Sequence, residues 1–312
     1  METVLITGAN GFVGNHLSEE LSEHGYKVSG VGGSIGSSKK SPHLTDYTVL
    51  DLSDKDQASK LDLTNVGSIV HLAGLAAVGP SFDNPMSYIN INMGIEINLF
   101  ETALAQKARP KFLIISSGGV YSVNSQMPLR ESSAVEPNSP YSVSKLGQEQ
   151  IATYYKGRGF ETLVVRPFNH IGPGQNLGFI ASDLAKQLAE IENGAKNELL
   201  VGNLDVKRDY TDVRDIVRAY RLLLEKGVPG ELYNVCSGKP YSGHEILDGL
   251  ARFSKIKPNI VLDSARMRPY DSPMIYGSNN KINKHTGWKP SIKITDTLKD
   301  VINDWRGKVK LT

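Results

Sequence analysis

The chain has 312 residues, of which 39% are hydrophobic and 22% are charged. This composition is typical of a globular protein and excludes disordered and fibrous chains, and the length suits about two domains. Lysine and arginine together number 35 against 33 acidic residues, so the formal charge is only +2. Such a weak field argues against nucleic acid or an anionic membrane as the main partner, although it leaves room for a local anion site.

The cysteine content and the start of the chain bear on location. Cys236 is the single cysteine, so it cannot close an intrachain disulfide or build a multi-thiolate metal site, which favours a reducing compartment. The chain starts METVLITGANGFVG, which lacks the basic segment and long apolar run of a secretion signal. No run of about 18 apolar residues occurs, and we therefore expect a cytoplasmic protein without a membrane span.

Short apolar runs rich in β-branched residues alternate with amphipathic stretches through the first half of the chain. This alternation predicts an α/β fold, a doubly wound parallel sheet with helices on both faces. The predicted strands are residues 3–7, 27–31, 47–50, 68–72, 111–116 and 161–166. The helical period predicts helices over residues 12–23 and 92–106.

The alternation loosens after residue 166 into loops that contain proline and glycine. Helices are predicted near residues 181–193 and 212–226, with a further strand at 231–235. We expect the sheet domain to comprise residues 1–166 and about 206–236. A smaller C-terminal substrate-binding lobe would comprise residues 167–205 and 237–312, and Trp288 is expected to pack within it.

A glycine-rich turn, Gly8-Ala-Asn-Gly11-Phe12-Val13-Gly14, joins the first predicted strand to the first predicted helix. Strand, turn and helix in this order are the context in which a dinucleotide binds. Gly8 permits the tight turn, Gly11 lets the backbone approach a pyrophosphate at the helix N-terminus, and Gly14 lets helix and strand pack closely. An ordinary glycine-rich turn is the alternative, and the strands that follow disfavour it.

The end of the second predicted strand bears on cofactor choice. An acidic residue that would bind the adenosine ribose is missing there, where the sequence reads Gly32-Gly33-Ser34. No carboxylate repels a 2′-phosphate, and Ser34, Ser37, Lys39 and Lys40 could supply hydroxyl and ammonium groups to it. The pattern favours NADP(H) modestly over NAD(H), which stays possible, and a solvated loop of serines and lysines is the alternative.

Tyr141 and Lys145 lie four residues apart in a segment with a helical pattern, so their side chains share one face. A neighbouring ammonium group lowers the pKa of a phenol, which makes the tyrosine a better proton donor near neutral pH. Ser117 follows a strand of the same sheet, and such sheets bind ligands at the carboxyl ends of their strands. The Tyr-x-x-x-Lys spacing alone is weak, because a solvated helix face also explains it.

Several further segments match a known pattern together. They are TGANGFVG, Asp51-Leu52, HLAG at 71–74, Asn92 with Asn98, SSGGVY, and PYSVSK. On these segments the chain resembles the extended short-chain dehydrogenases/reductases that act on nucleotide sugars. The segments at 166–179, 206–220, 233–242 and 266–292 are similar, more narrowly, to those of GDP-6-deoxy-D-mannose reductases. The resemblance covers essentially the whole chain and implies a Rossmann domain followed by a nucleotide-sugar-binding lobe.

The resemblance also implies roles for individual residues. Ser117, Tyr141 and Lys145 would form the catalytic set. The residues implied in cofactor binding are Gly8, Gly11, Phe12, Val13, Gly14, Ser34, Asp51, Leu52, Leu72, Ala73, Gly74, Asn92, Tyr141 and Lys145. Among them, Asp51 and Leu52 would contact the adenosine, and residues 72–74 would line the diphosphate or the nicotinamide riboside.

The implied reaction is the NAD(P)H-dependent reduction of the C4 keto group of a nucleotide-linked 4-keto-6-deoxy sugar, GDP-4-keto-6-deoxy-D-mannose to GDP-D-rhamnose. The residues implied in substrate binding are Ser117, Asn169, Asp183, Lys186, Arg208 and Arg268. Arg208 and Arg268 would grip the diphosphate, whereas Asp183 and Lys186 would read the guanine base. Surface ion pairs for the arginines and a helix N-terminal role for Asp183 are the alternatives.

One departure from the wider family concerns the reaction. Sugar 4,6-dehydratases carry an acidic residue two positions before the tyrosine that is Tyr121 here, and this chain has Gly119 at that position. Elimination of water would lack its acid/base, so dehydratase activity is not expected. A nucleotide-sugar 4-epimerase with retained NAD and a non-catalytic relative of the fold stay open as alternatives.

The resemblance implies a homodimer. The helix at 92–106 and the helix at 141–155 would form a four-helix interface with their copies. The apolar positions offered for this interface are Ile97, Leu104, Ile151 and Tyr155.

Overall fold

The computed structural model describes residues 2–33, 41–254, 256–266 and 272–310. Its helices are α1 (Phe12–Glu23), α2 (Lys55–Ala58), α3 (Gly79–Asp83), α4 (Pro85–Ala105), α5 (Pro140–Gly157), α6 (Ile180–Glu192), α7 (Val213–Lys226), α8 (Gly243–Ala251), α9 (Asn280–Thr286) and α10 (Ile294–Val309). Its strands are β1 (Thr3–Thr7), β2 (Lys27–Gly32), β3 (Asp46–Val49), β4 (Ser68–His71), β5 (Lys111–Ile115), β6 (Thr162–Pro167), β7 (Asn169–Ile171), β8 (Glu198–Val201), β9 (Lys207–Asp212), β10 (Leu232–Val235), β11 (Pro240–Ser242), β12 (Asn259–Leu262) and β13 (Met274–Ile275). Short 3₁₀ turns cover Gly118–Val120 and Ser264–Arg266.

Within the described residues, seven strands form one parallel sheet in the order β3-β2-β1-β4-β5-β6-β10. Thr7 at the end of β1 is opposite Val31 of β2 on one side and His71 of β4 on the other. Since the strand order reverses between β1 and β4, a crevice opens there at the carboxyl ends of the strands. The predicted doubly wound α/β fold is confirmed.

Helices cover both faces of this sheet. Leu17 and Leu21 of α1 pack with α7 on one face, and Leu99 of α4 packs with Ala152 of α5 on the other. Strand β1 is therefore buried on both faces, which is why its side chains do not alternate between apolar and polar. Helix α4 begins at Pro85, seven residues before the predicted start at residue 92. Proline is compatible with this first position because the first turn of a helix does not need its N–H group.

A second apolar cluster is built from parts of the chain that follow β6 in the sequence. It is formed by α6, α8 and α10 together with Leu199 of β8 and Tyr210 of β9. Trp288 does not belong to it: this side chain packs in the core of the large sheet, and its indole N–H donates to the backbone oxygen of Asp215 on α7 at 2.9 Å. The prediction for Trp288 was wrong because α9 brings the chain back against α7 and β10.

Strand β9 joins parts of the chain that are far apart in sequence. It pairs with β7, with Tyr210 opposite Asn169, and with β13, with Arg208 opposite Ile275. This pairing sets the segment after β6 beside the segment that precedes α9. None of the helices in the described ranges is both long and apolar enough to cross a membrane.

Candidate active site

The glycine-rich turn lies at the crevice between β1 and β4. Gly8 has a φ of +70°, and a Cβ there would lie 3.0 Å from the backbone nitrogen of Ala73. A Cβ at Gly14 would lie 2.5 Å from the carbonyl oxygen of Gly8, so α1 could not approach β1 with any larger residue. Both glycines are therefore required by close backbone contacts.

The start of α1 fits a dinucleotide diphosphate. Gly11 is the N-cap residue, and in the described part of the chain no side chain caps this helix. Its first N–H groups, in the turn that includes Phe12 and Val13, are thus available to an anion. The amide atoms of Asn10 are buried and find no hydrogen-bond partner among the described residues, which indicates that a ligand completes this turn.

The loop after β4 forms the other wall of the crevice. The backbone N–H groups of Leu72 and Ala73 donate to the hydroxyl oxygen of Thr7 at 3.1 and 3.0 Å. Gly74 has a φ of +147°, and a Cβ there would lie 2.6 Å from the side-chain oxygen of Asn92. The loop is thereby held at the ends of β1 and β4, beside the glycine-rich turn.

Asn92 supports this loop rather than facing a ligand. Its side chain is 0% exposed, accepts from the N–H of Leu75 at 2.7 Å and donates to the hydroxyl of Ser144 at 2.9 Å. It therefore ties the loop to α5. We therefore expect Asn92 to shape the cofactor site rather than to contact the cofactor.

The residues expected at the adenosine are near the end of β3. Leu52 is buried and its carbonyl oxygen accepts from Asn98 at 2.9 Å. Asp51 is exposed, and its carboxylate accepts from the backbone and the hydroxyl of Ser53 at 2.9 and 2.6 Å. Ser34 lies outside the described residues, whereas Gly33 at the end of β2 is exposed with open space beside it.

Helix α5 positions Tyr141 and Lys145. Ser139 caps the helix by accepting from the N–H of Ser142, and a proline occupies its first turn. Lys145 Nζ lies 5.9 Å from the centre of the Tyr141 ring. Ser117 follows β5 and accepts from the N–H of Gly119 at 3.0 Å, and its hydroxyl favours a lower pKa of the Tyr141 phenol. The structure thus brings the three predicted catalytic residues together at the carboxyl end of the sheet.

The pKa of the Tyr141 phenol differs from the expectation. Burial raises this pKa, and the hydrogen bond from Ser117 opposes it. The Lys145 ammonium donates to the carbonyl oxygen of Ile115 at 2.8 Å and to the amide oxygen of Gln148 at 2.9 Å. Burial lowers the pKa of Lys145 to about 8, while attraction to Glu96 opposes this. A buried ammonium needs such acceptors in place of water.

A hydrogen-bond chain connects Lys145 to the glycine-rich crevice. Gln148 accepts from Lys145, and its amide nitrogen donates to His71 Nε2 at 3.1 Å. The other ring nitrogen of His71 lies 2.9 Å from the hydroxyl of Thr7. Burial lowers the pKa of His71 to about 3, so the ring is neutral and can accept. These hydrogen bonds join α5, β4 and β1 beneath the site.

These supporting residues were missed at the sequence level. Gln148 follows Lys145 by three residues, so helical spacing could have placed both on one face. His71 and Thr7 end two strands that are distant in sequence, and only the register of β1 with β4 brings them together. Glu96 is the fourth residue after Asn92, and an acid on that apolar helix face was the available signal.

A buried ion pair lies under the end of β5. The guanidinium of Arg166 donates to both carboxylate oxygens of Glu149, at 2.8 and 2.6 Å. Ser116 donates to the same carboxylate at 2.5 Å, and Arg166 also covers the ring of Tyr121 at 4.5 Å. Strands β5 and β6 are thereby linked to α5, which fixes the helix that carries the candidate catalytic residues.

Aromatic contacts close the site on the side of α1. Phe12 stacks on His170, with ring centres 6.1 Å apart, and His170 Nδ1 lies 3.1 Å from the carbonyl oxygen of Phe168. Burial lowers the pKa of His170, so this ring is neutral near pH 7. The segment after β6 is held against the glycine-rich turn through this stack.

The predicted substrate residues of the lobe are spread around β9. Asn169 on β7 is exposed. The guanidinium of Arg208 is half-buried and donates to the carbonyl oxygens of Lys207 and Ser272, both at 2.8 Å. Arg268 lies outside the described residues, but the strand that follows its segment pairs with the strand of Arg208.

The two residues expected at the base are engaged within the lobe. Asp183 accepts from the N–H of Gly178 at 2.8 Å and thereby closes the turn before α6. Lys186 forms an ion pair with Glu190, which also binds Lys196 at 2.7 Å. In the ranges that the structure covers, no group of three or more His, Cys, Asp or Glu side chains could hold a metal ion.

Known proteins share this architecture over the whole chain. The family model for GDP-mannose 4,6-dehydratase matches residues 5–301. GDP-6-deoxy-D-mannose reductase of Pseudomonas aeruginosa is 35% identical over 99% of this chain and 99% of its own. The structure of RMD from Pseudomonas aeruginosa, complexed with NADPH, is 33% identical with a TM-score of 0.88, over 99% of this chain and 100% of that one. UDP-glucose 4-epimerase from Bifidobacterium longum, in complex with NAD⁺ and UDP, is 25% identical with a TM-score of 0.85, over 98% of each chain. The chain therefore belongs to the GDP-mannose 4,6-dehydratase family of extended short-chain dehydrogenases/reductases.

Proposed function

We propose that the protein reduces the C4 keto group of a nucleotide-linked 4-keto-6-deoxy sugar, with NADPH as the favoured cofactor and NADH as a possible one. The substrate would be GDP-4-keto-6-deoxy-D-mannose and the product GDP-D-rhamnose. The observation that carries this proposal is the full-length similarity to a GDP-6-deoxy-D-mannose reductase. The grouping of Ser117, Tyr141 and Lys145 beside a dinucleotide-shaped turn supports it.

The site residues would act on the carbonyl oxygen at C4. When bound, NADPH supplies a hydride to this carbon. Tyr141 would donate its proton to the oxygen as negative charge develops, and Ser117 would donate a hydrogen bond to the same oxygen. Lys145 would stabilise the phenolate that Tyr141 becomes. Because burial raises the pKa of this phenol, Tyr141 holds its proton until the substrate takes it.

Gly119 supports reduction over dehydration. A Cβ at Gly119 would lie 3.2 Å from the Ser117 hydroxyl oxygen, so a side chain here would lie directly beside the candidate site. Elimination of water needs a group that accepts or donates a proton at this place. Glycine has none, and the name of the family therefore does not carry over as an activity.

The nucleotide would lie along the lobe. Arg208 and Arg268 would bind the diphosphate through charge-assisted hydrogen bonds, and Asn169 would add an amide contact. Asp183 and Lys186 are proposed at the guanine on the resemblance alone. Because Asp183 is bound to Gly178 and Lys186 to Glu190, reading the base would require both side chains to exchange partners.

Purified protein tests the proposal with NADPH and a panel of GDP-, UDP- and dTDP-linked 4-keto-6-deoxy sugars. We expect stoichiometric oxidation of NADPH with the GDP sugar and formation of a 4-hydroxy product. Interconversion of 4-epimers without added cofactor would instead identify an epimerase. Absence of turnover with every sugar, in protein that binds NADPH, would indicate a non-catalytic relative.

We also propose a homodimer through α4 and α5. An apolar groove of about 330 Å³ runs between these helices, and Ile97 and Tyr154 are among its lining residues that are exposed. Tyr155, which is expected in this interface, also lines the groove and stacks on Phe100 with ring centres 4.3 Å apart. Light scattering should give the mass of two chains, and Ile97→Asp should give one. A wild-type monomer at micromolar concentration would contradict this proposal.

A further inference from the structure

The hydrogen-bond chain that starts at Lys145 is formed by four buried polar side chains. They are Lys145 and Gln148 on α5, His71 at the end of β4 and Thr7 at the end of β1, and each is at most 8% exposed. Solvent cannot replace a lost partner at such burial, so each polar atom depends on its neighbour in the chain of hydrogen bonds. The direction in which these bonds run follows from the donors and acceptors that each group carries.

The Lys145 end of the hydrogen-bond chain fixes the Gln148 amide. An ammonium group has three N–H donors and no acceptor, so the Gln148 atom that lies 2.9 Å from Lys145 Nζ must be the amide oxygen. The amide nitrogen then lies 3.1 Å from His71 Nε2, and it can only donate. His71 Nε2 is therefore an acceptor and carries no proton.

His71 consequently has a defined tautomer. Its ring is neutral, because burial lowers its pKa to about 3, and a neutral imidazole has one N–H donor and one acceptor nitrogen. With Nε2 as the acceptor, the proton is on Nδ1, which lies 2.9 Å from the Thr7 hydroxyl oxygen. The Nδ1–H group therefore donates to Thr7, which lies opposite His71 in the pairing of β1 with β4.

The Thr7 end of the hydrogen-bond chain favours the opposite direction. The Thr7 oxygen already accepts from two backbone N–H groups of the loop after β4, at 3.1 and 3.0 Å, so its own proton could donate to His71 Nδ1. That arrangement would turn the Gln148 amide and set its N–H groups against the Lys145 ammonium. A hydrogen bond to a charged donor is about twice as strong as a neutral one, and we therefore expect the Lys145 end to decide the direction.

We propose that Gln148 and His71 are positioning residues for Lys145: His71, as its Nδ1–H tautomer, holds the Gln148 amide, and the amide oxygen holds one N–H of the ammonium. The carbonyl oxygen of Ile115 accepts a second N–H at 2.8 Å. The ring centre of Tyr141 lies 5.9 Å from Nζ, and among the described residues the third N–H is left for this phenol or for a ligand beside it. The catalytic meaning of this arrangement rests on the proposed function, in which Lys145 stabilises the Tyr141 phenolate.

The tautomer of His71 can be measured in the free protein, independently of any reaction. Two-bond proton–nitrogen NMR spectra of protein with ¹⁵N-labelled histidine rings identify the protonated nitrogen of each ring. The His71 signals are assigned by their loss in His71→Asn. We expect a proton on Nδ1 and none on Nε2 near pH 7. A proton on Nε2 would overturn the proposal, because the Gln148 amide would then have to turn its N–H groups toward Lys145.

Gln148→Glu reverses the bond to His71 with almost no change in shape. A carboxylate has acceptors alone, so it can still hold the Lys145 ammonium but cannot donate to the ring. We expect His71 Nε2 to gain a proton in this variant, since this nitrogen must now donate. Gln150→Glu, at an exposed position of the same helix, is the matched control and should leave the His71 spectrum unchanged. An Nε2 that stays unprotonated in Gln148→Glu would overturn the proposal.

Turnover separates a positioning role from a structural one. Gln148→Met fills a similar volume without an acceptor and should lower kcat by about tenfold, because a charged donor loses its partner. The KM for the sugar should change little, and Gln148→Glu, which keeps the acceptor, should recover most of kcat. Thermal unfolding verifies that each variant folds. Equal kcat in wild type and Gln148→Met, or an equal loss in both variants, would overturn the positioning role.

The two measurements also separate this proposal from the proposed function. The expected His71 tautomer in a protein that turns over none of the sugars would support the hydrogen-bond chain and refute the proposed reductase alone. Full turnover in Gln148→Met, together with a proton on His71 Nε2 in the wild type, would refute the positioning residues and leave the reductase standing.

Discussion

The sheet side and the lobe side of the candidate site are built on different principles. On the sheet side, Lys145 is 8% exposed and its ammonium is held by Ile115 and Gln148. On the lobe side, the Lys186 side chain is 31% exposed and pairs with a neighbour one helical turn away. The first arrangement is rigid before any ligand arrives, whereas the second must exchange partners to bind one. We infer that the sheet side determines the chemistry and the lobe side the choice of nucleotide.

Loss of the proton donor should give the largest effect on the sheet side. Tyr141→Phe removes the phenolic proton but keeps the ring, so kcat should fall by about 100- to 10,000-fold with NADPH affinity unchanged. Tyr154→Phe, at an exposed position of the same helix, should retain full activity. Steady-state kinetics of both variants make the comparison. Retention of more than about a tenth of the rate in Tyr141→Phe would disprove the assignment.

Loss of a clamp arginine should act on the lobe side alone. Arg268→Ala should raise KM for the nucleotide sugar by about ten- to a hundredfold, since charge-assisted hydrogen bonds are lost, and leave NADPH affinity unchanged. Arg208→Ala should weaken GDP as well and also lower the melting temperature, because Arg208 donates to Ser272. Calorimetry with GDP measures both, with the exposed Arg130→Ala as control. Equal GDP affinity in wild type and Arg268→Ala would show that Arg268 does not bind the diphosphate.

The rigidity of the sheet side can be tested at its glycine turn. In Gly14→Ala the new Cβ would lie 2.5 Å from the Gly8 carbonyl oxygen, so we expect a loss of about 1–3 kcal/mol in the free energy of unfolding. NADPH binding should weaken with it. Gly157→Ala adds a methyl group at a position with nothing within 4 Å and should be neutral or slightly stabilising. Equal stability of the two variants in denaturant unfolding would show that the turn yields easily.

A substitution at Gly33, at the end of β2, should produce the smallest effect on activity. The wild type should use NADPH at least as well as NADH, and Gly33→Asp should tip this preference toward NADH by about tenfold through repulsion of the 2′-phosphate. A side chain fits there, because nothing lies within 4 Å of a Cβ at Gly33. Ratios of kcat/KM for the two cofactors measure the shift, with Gly33→Asn as the uncharged control. A wild-type preference for NADH of tenfold or more would contradict this interpretation.

Local pattern was sufficient for the elements of the sheet domain. The helix predicted at 12–23 is α1 with the same bounds, and the strand predicted at 3–7 is β1. Both depend on interactions between residues close in sequence, namely apolar periodicity and a glycine turn. The same holds for Tyr141 and Lys145, whose common face follows from helical spacing alone.

Local sequence patterns could not predict contacts between distant segments. Thr7 and His71 are 64 residues apart and meet because β1 pairs with β4 in one particular register. Trp288 packs in the core of the large sheet because α9 packs on α7 and β10. In each case a choice among several acceptable partners was made by the packing of the whole chain.

The sequence by itself determined the fold class, through apolar periodicity along the chain, and it predicted the glycine-rich turn and the common face of Tyr141 and Lys145, which depend on residues a few positions apart. Tertiary structure alone decided the ionisation of the site. Burial raises the pKa of Tyr141 and lowers that of Lys145. The attraction between Lys145 and Glu96, which are 49 residues apart in sequence, depends on the packing of α4 on α5. Charge depends on solvent exposure and on neighbours in space, and neither follows from spacing along the chain.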